Sequence, residues 1–176
     1  MLRRLALLVL PVAGACVRAA VPETPADSHA RESSSRSAQP LITGVERPAD
    51  LGRMAAGRVA LVSFWATWCE ACLKEVDPLN RLAARARERG DALVVGIAVG
   101  ESLQTVDAFV RTHAITIPQV VDADFHLADA LGQRTIPATL VFDRNGVIVY
   151  RGQSLDAHAL AAFRRALGED QPVTAP

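Results

Sequence analysis

The chain has 176 residues, enough for one ordinary domain with extensions. Lys plus Arg and Asp plus Glu balance at 19 each, so no field of one sign marks it for nucleic acid or an acidic substrate. Half of the residues are hydrophobic, sufficient for a real core, and three cysteines are too few for a disulfide-stapled mini-fold.

Met1-Leu2-Arg3-Arg4 forms a short positive region, followed by an apolar run from Leu5 to Val12 and the small residues Ala13-Gly14-Ala15 before Cys16. This is the layout of a secretory signal, too short to span a bilayer as a mature helix. The n-region charges and the polar change after Ala20 argue against a buried core helix. A signal peptide is therefore expected over residues 1–20, and with it export. General signal peptidase could cut after Ala15. The run Val12 to Cys16 also resembles a bacterial lipobox, although Ala13 stands where that pattern prefers Leu. Cleavage before Cys16 and lipidation of Cys16 is the preferred reading, because it accounts for an otherwise unpaired cysteine. Residues 21–40 are rich in Ser, Ala, Pro and charge, with no apolar period. They cannot bury enough surface to fold and read as a disordered tether, with His29 solvated.

A folded domain is expected over 41–170 and a tail over 171–176. Val59 to Trp65 is a near-continuous apolar run, as for a strand buried on both faces. One helix is expected from Cys69 to Arg89, kinked by Pro78 and ended by Gly90. Leu93 to Val99 reads as a second buried strand. Ser102 starts a helix with Leu103, Val106 and Val110 on one face, and Phe125 to Leu131 a short one. Asn145-Gly146 between the apolar runs 138–142 and 147–150 signals a hairpin. Asp156 caps a last helix whose Leu160, Phe163 and Leu167 form a stripe before Gly168. This order predicts an α/β fold: a three-layer sandwich whose mixed central sheet has parallel first strands, an antiparallel hairpin and helices on both faces.

The chemistry lies in Cys69-Glu70-Ala71-Cys72. A cysteine at a helix N-terminus meets free N–H groups and the positive end of the helix dipole, which stabilise a thiolate. A second cysteine one turn on can attack a mixed disulfide and resolve it. Cys69 is thus the expected nucleophile and Cys72 the resolving thiol, a redox-active pair that needs no cofactor. Half a zinc site has the same spacing, but zinc needs two further ligands. The remaining candidates, His113, His126 and His158, fall on separate elements without ligand spacing, so no metal is expected.

Phe64-Trp65-Ala66-Thr67-Trp68-Cys69-Glu70-Ala71-Cys72 resembles the active-site strand and turn of the thioredoxin superfamily, and most closely its TlpA/ResA-like group of exported bacterial thiol–disulfide oxidoreductases. The resemblance runs through Gly57-Arg58-Val59, the segment 94–122 as the group's central insert, Thr135-Ile136-Pro137 as the cis-proline loop, and Asp143 to Gly146 as the hairpin turn, covering roughly 41–167. It implies a cis Pro137 facing the cysteine pair, with the preceding Ile136 backbone against the substrate; Trp68, a candidate substrate contact, is equally readable as a packing residue, as is Trp65. It also implies a Cys69–Cys72 disulfide and a functional acid at Glu75, three residues after Cys72. The sequence departs from the pattern at Ala71, where many relatives carry Pro; at Ser63, where thioredoxin has a buried acid; and at Pro78, one residue later than usual.

The function expected is reduction of disulfides on exported client proteins, in cytochrome c maturation or envelope redox homeostasis. Electrons would come from a membrane donor, on the periplasmic side of a bacterial envelope, with the protein held by its lipid anchor. Glu70, beside Cys69, is expected to raise the thiol pKa and favour the reductant role. The alternatives are a peroxiredoxin-like peroxidase, which carries Thr where Ala66 stands, and a copper-handling module, which uses a longer cysteine spacing.

Overall fold

The computed structural model describes residues 41–42, 47–55 and 57–169. The expected signal segment, Cys16, the tether and the tail lie outside the described residues. In chain order the elements are β1 (Leu41–Ile42), α1 (Pro48–Ala55), β2 (Val59–Trp65), α2 (Glu70–Leu73), α3 (Val76–Arg89), β3 (Ala92–Val99), α4 (Leu103–Thr112), β4 (Gln119–Asp122), α5 (His126–Ala130), β5 (Ala138–Phe142), β6 (Ile148–Gly152) and α6 (Ala157–Leu167).

The strands form one six-stranded sheet in the order β1-β4-β3-β2-β5-β6. β2 pairs parallel with β3 and antiparallel with β5, and β5 pairs antiparallel with β6. The two most apolar runs thus take the centre, where both faces are covered. Side-chain alternation along β2 sends Val59, Leu61 and Trp65 to one core with α3, α4 and α6. Ala60, Val62 and Phe64 go to a second core with α1 and α5. The expected sandwich with helices on both faces is the one present.

Several local expectations need correction. The segment after Cys69 is two helices, broken at Lys74 and Glu75. Pro78 has no N–H to give the Lys74 carbonyl, and its ring would clash there. The chain restarts with Glu75 as N-cap, which leaves Pro78 in the first turn of α3, where a missing donor costs least. The short apolar run after Pro118 is β4, and Pro48–Ala55 is α1; neither was expected. On α4, Val106 and Val110 are buried but Leu103 is exposed. Ser102 and Asp156 cap α4 and α6 through their side chains as expected.

Candidate active site

β2 ends at Trp65, and the turn Ala66–Trp68 delivers Cys69 to the N-cap of α2. Cys69 and Cys72 are joined by a disulfide, with S–S 2.01 Å and Cα–Cα 5.3 Å. The Cys72 N–H donates to Cys69 Sγ at 3.2 Å. One orphan donor of the helix end is therefore aimed at the sulfur expected to carry negative charge. Both cysteines are buried in the core that also holds Trp65, Leu79 and Ile117. Glu70 points away: its side chain is 88% exposed and its Oε1 lies 3.5 Å from Lys74 Nζ. Glu70 was expected to act on Cys69 through its charge; its carboxylate is solvated and paired with Lys74, a position in which water screens it from the buried sulfur.

Two other carboxylates accept backbone N–H groups beside the pair. Glu101, just beyond β3, accepts the backbone N–H of Thr67 at 2.8 Å through Oε2 and the Thr67 hydroxyl through Oε1. Glu75, at the break between α2 and α3, accepts the Leu155 N–H through Oε1 at 2.9 Å, tying the pair to the loop before α6. Its Oε2 is buried and has no hydrogen-bond partner among the described residues. Burial pushes the Glu75 carboxyl above the ordinary glutamate range; the Leu155 N–H opposes this and the charge of Asp156 adds to it.

Beneath the turn, Trp65 Nε1 donates to Gln119 Oε1 at 2.8 Å, and Gln119 Nε2 donates to the Ile117 carbonyl at 3.1 Å. The Gln119 amide occupies the space a side chain at position 96 would need, which accounts for Gly96 in the middle of β3. Ser63 is buried at the place where thioredoxin's acid was expected to be missing.

The Ile136–Pro137 peptide bond is cis. Ile136 packs against both cores, including the one that contains the cysteines. Trp68 is 71% exposed, so it is not a packing residue. Trp68, Phe125, Thr135 and Ile136 are among the residues lining a cavity of about 140 Å³. Phe125 is half-exposed with φ 61°, and its ring covers Gly100, where any Cβ would collide with it. His113, His126 and His158 sit at the end of α4, in α5 and in α6. Among the described residues no group of three His, Cys, Asp or Glu could hold a metal ion.

Sequence reasoning missed Glu101, Gln119 and Phe125. Glu101 lies 34 positions from Thr67 and Gln119 lies 54 from Trp65, and nothing near them in the chain signals those pairings.

The fold is thioredoxin-like. A family model described as Redoxin matches residues 28–167, and the chain belongs to that family. It is 29% identical over 92 residues to the thiol-disulfide oxidoreductase ResA of Geobacillus thermodenitrificans, covering 52% of each chain. With ResA of Bacillus subtilis it shares 30% over 93 residues, covering 53% of this chain and 51% of the relative. The chain thus spans about half the length of the curated relatives it matches. Among solved structures, a thiol:disulfide interchange protein of the thioredoxin family from Chlorobium tepidum aligns with TM-score 0.53 and 28% identity, over 66% of this chain and 82% of that one.

Proposed function

We propose that this chain is a thiol–disulfide oxidoreductase that reduces disulfides of exported client proteins. The observation that carries this is the Cys69–Cys72 disulfide at the start of α2, with the Cys72 N–H donated to Cys69 Sγ. In the reduced form, the Cys69 thiolate attacks one sulfur of a client disulfide. A mixed disulfide forms and the client's other sulfur leaves as a thiolate. Cys72 loses its proton and attacks Cys69 Sγ, releasing the second client sulfur and closing the Cys69–Cys72 bond. The client gains two electrons, and a dithiol donor, read as a membrane protein, must return two to the pair. Cys69 and Cys72 are the catalytic residues of this reading.

Glu75 is the proton acceptor for Cys72. It follows Cys72 by three residues across the helix break, has a buried free oxygen and holds a proton more readily than an ordinary glutamate. Trp68 and the backbone beside Ile136 and Pro137 receive the client chain. The reducing direction is supported by the position of Lys74, the cation nearest in sequence, which turns to Glu70. Without a cationic partner the thiolate is less stabilised and the disulfide comparatively favoured. The signal-like segment before Cys16 supports export and lipid anchoring at Cys16.

The test is insulin disulfide reduction by the wild-type protein, with equilibration against glutathione. Catalysed reduction and a potential well below about −120 mV, the range of strong periplasmic oxidants, are expected. A potential at that value would overturn the reducing direction, and no catalysis would overturn the activity. Mass spectrometry of the mature N-terminus decides Cys16: a start elsewhere without lipid removes the anchor.

A further inference from the structure

We propose that the groove between α3 and α6 docks the domain onto an anionic phospholipid surface. The groove has a volume of about 260 Å³. Its floor is apolar: Phe163 is buried, and Leu82, Leu160 and Leu167 are partly buried. Its walls carry Arg85 from α3 and Arg164 from α6, both exposed. A third cation, Arg89, is held by Asp91 at 3.0 Å and by Glu169 at 2.8 Å. Among the described residues no carboxylate pairs with Arg85 or Arg164; Arg164 only turns its Nε to the Leu160 carbonyl of its own helix at 3.4 Å.

In a chain of zero net charge, two free guanidinium groups beside one apolar trough are a local concentration of positive charge over hydrophobic surface. A phospholipid surface offers the complement, phosphates for the guanidinium forks and apolar stems for the floor. A peptide added as a strand is the poorer match. The groove walls are helices whose backbone groups are already bonded, so no open strand edge can add a chain.

The placement also suits the chemistry. The groove takes the C-terminal half of α3, whereas the cysteines precede its N-terminus. At 1.5 Å per residue, Arg85 lies on the order of 15 Å along the helix axis from the cysteine end. Docking by this groove leaves the disulfide uncovered. The inference stands on the arginines and the trough, and does not require Cys16 to be lipidated.

The test compares the full chain carrying Cys16→Ser with the same chain carrying Arg85→Gln and Arg164→Gln as well, so that residues 1–40 contribute equally. Each arginine near an anionic surface is expected to contribute about fivefold. The double variant should therefore bind phosphatidylglycerol vesicles about 25-fold more weakly in low salt, with the difference shrinking as salt rises. Binding to phosphatidylcholine vesicles and insulin reduction should be equal in the two proteins, the latter serving as the folding control. Equal binding of both proteins to phosphatidylglycerol would overturn the proposal. So would a double variant that loses binding to polyglutamate while keeping its vesicle binding, which would make the groove a site for acidic polypeptides.

Discussion

Two carboxylates flank the cysteine pair, and they do different work. On the upstream side Glu101 reaches in from the end of β3 and spends both oxygens on Thr67. On the downstream side Glu75 spends one oxygen on Leu155 and keeps the other buried and unpaired. A fully bonded carboxylate fixes geometry. A desolvated one with a free oxygen stays available to a proton. The comparison sets a carboxylate that holds the turn against one proposed to take part in the reaction.

The largest effect is expected at the pair itself. Cys69→Ser should reduce insulin disulfide reduction to background, whereas Cys72→Ser should accumulate a mixed disulfide through Cys69, detected by non-reducing electrophoresis. Equal trapping by both variants would place the nucleophile wrongly and detach both carboxylates from their assigned sides.

Next comes Glu75→Gln. If Glu75 accepts the Cys72 proton, resolution of the mixed disulfide should slow by about 10²-fold near neutral pH, measured in single-turnover experiments. Stability should move the opposite way. The folded carboxyl has a raised pKa, so the folded state binds more protons than the unfolded chain. The stabilisation linked to this proton is fully present below the ordinary glutamate pKa and is lost as pH rises through the raised folded value. An amide can still accept the Leu155 N–H, so Glu75→Gln should lose that pH dependence and be at least as stable as the parent at pH 7. A variant that is less stable at pH 7 and resolves at the parental rate would make Glu75 another clamp.

Glu101→Ala should show the reverse pattern. It strips the acceptor from a partly buried N–H and hydroxyl of Thr67, which costs about 1–3 kcal/mol and lowers the Tm by several degrees. Activity should fall as the Cys69 turn loosens, with no new pH dependence. An unchanged Tm by calorimetry would remove Glu101 from the support of the turn.

How much of this was legible in the sequence follows from distance along the chain. The pair, its helix start, the buried run 59–65, the hairpin at Asn145-Gly146 and the caps Ser102 and Asp156 are written within a few residues, and all are present. The break at Glu75 was also local but was misjudged: a proline can be placed in a first turn by ending the preceding helix, rather than kinking one long helix. β4 is only four residues long, and β3 and β1 on either side give it its place. Glu101, Gln119 and Phe125 act across the sheet, through pairings that only the folded backbone creates. Glu70 is the opposite case: adjacency to Cys69 suggested an influence, and the folded chain turns its carboxylate to solvent and Lys74.

Trp68 should contribute to client capture but not to folding. Its ring is largely exposed beside the cavity it shares with Ile136. Trp68→Ala should raise KM for a disulfide-bonded protein severalfold and change stability by no more than about 0.5 kcal/mol. A marked loss of Tm would show that the ring packs.

The smallest effect is expected at Glu70, the residue closest in sequence to the nucleophile. Its carboxylate is solvated and faces Lys74 across one helical turn. Exposed pairs of this spacing contribute about 0.3–0.5 kcal/mol, and less in salt. Its charge reaches Cys69 Sγ mainly through water, whereas the Cys72 N–H touches that sulfur directly. Glu70→Gln should therefore shift the potential against glutathione by less than about 10 mV, since 30 mV corresponds to about 1.4 kcal/mol for this two-electron couple. Glu70→Gln and Glu75→Gln remove the same charge five positions apart, so measuring both isolates burial as the variable. A Glu70→Gln shift as large as 30 mV, with Glu75→Gln silent in resolution, would show that distance along the chain and not desolvation ranks the two acids.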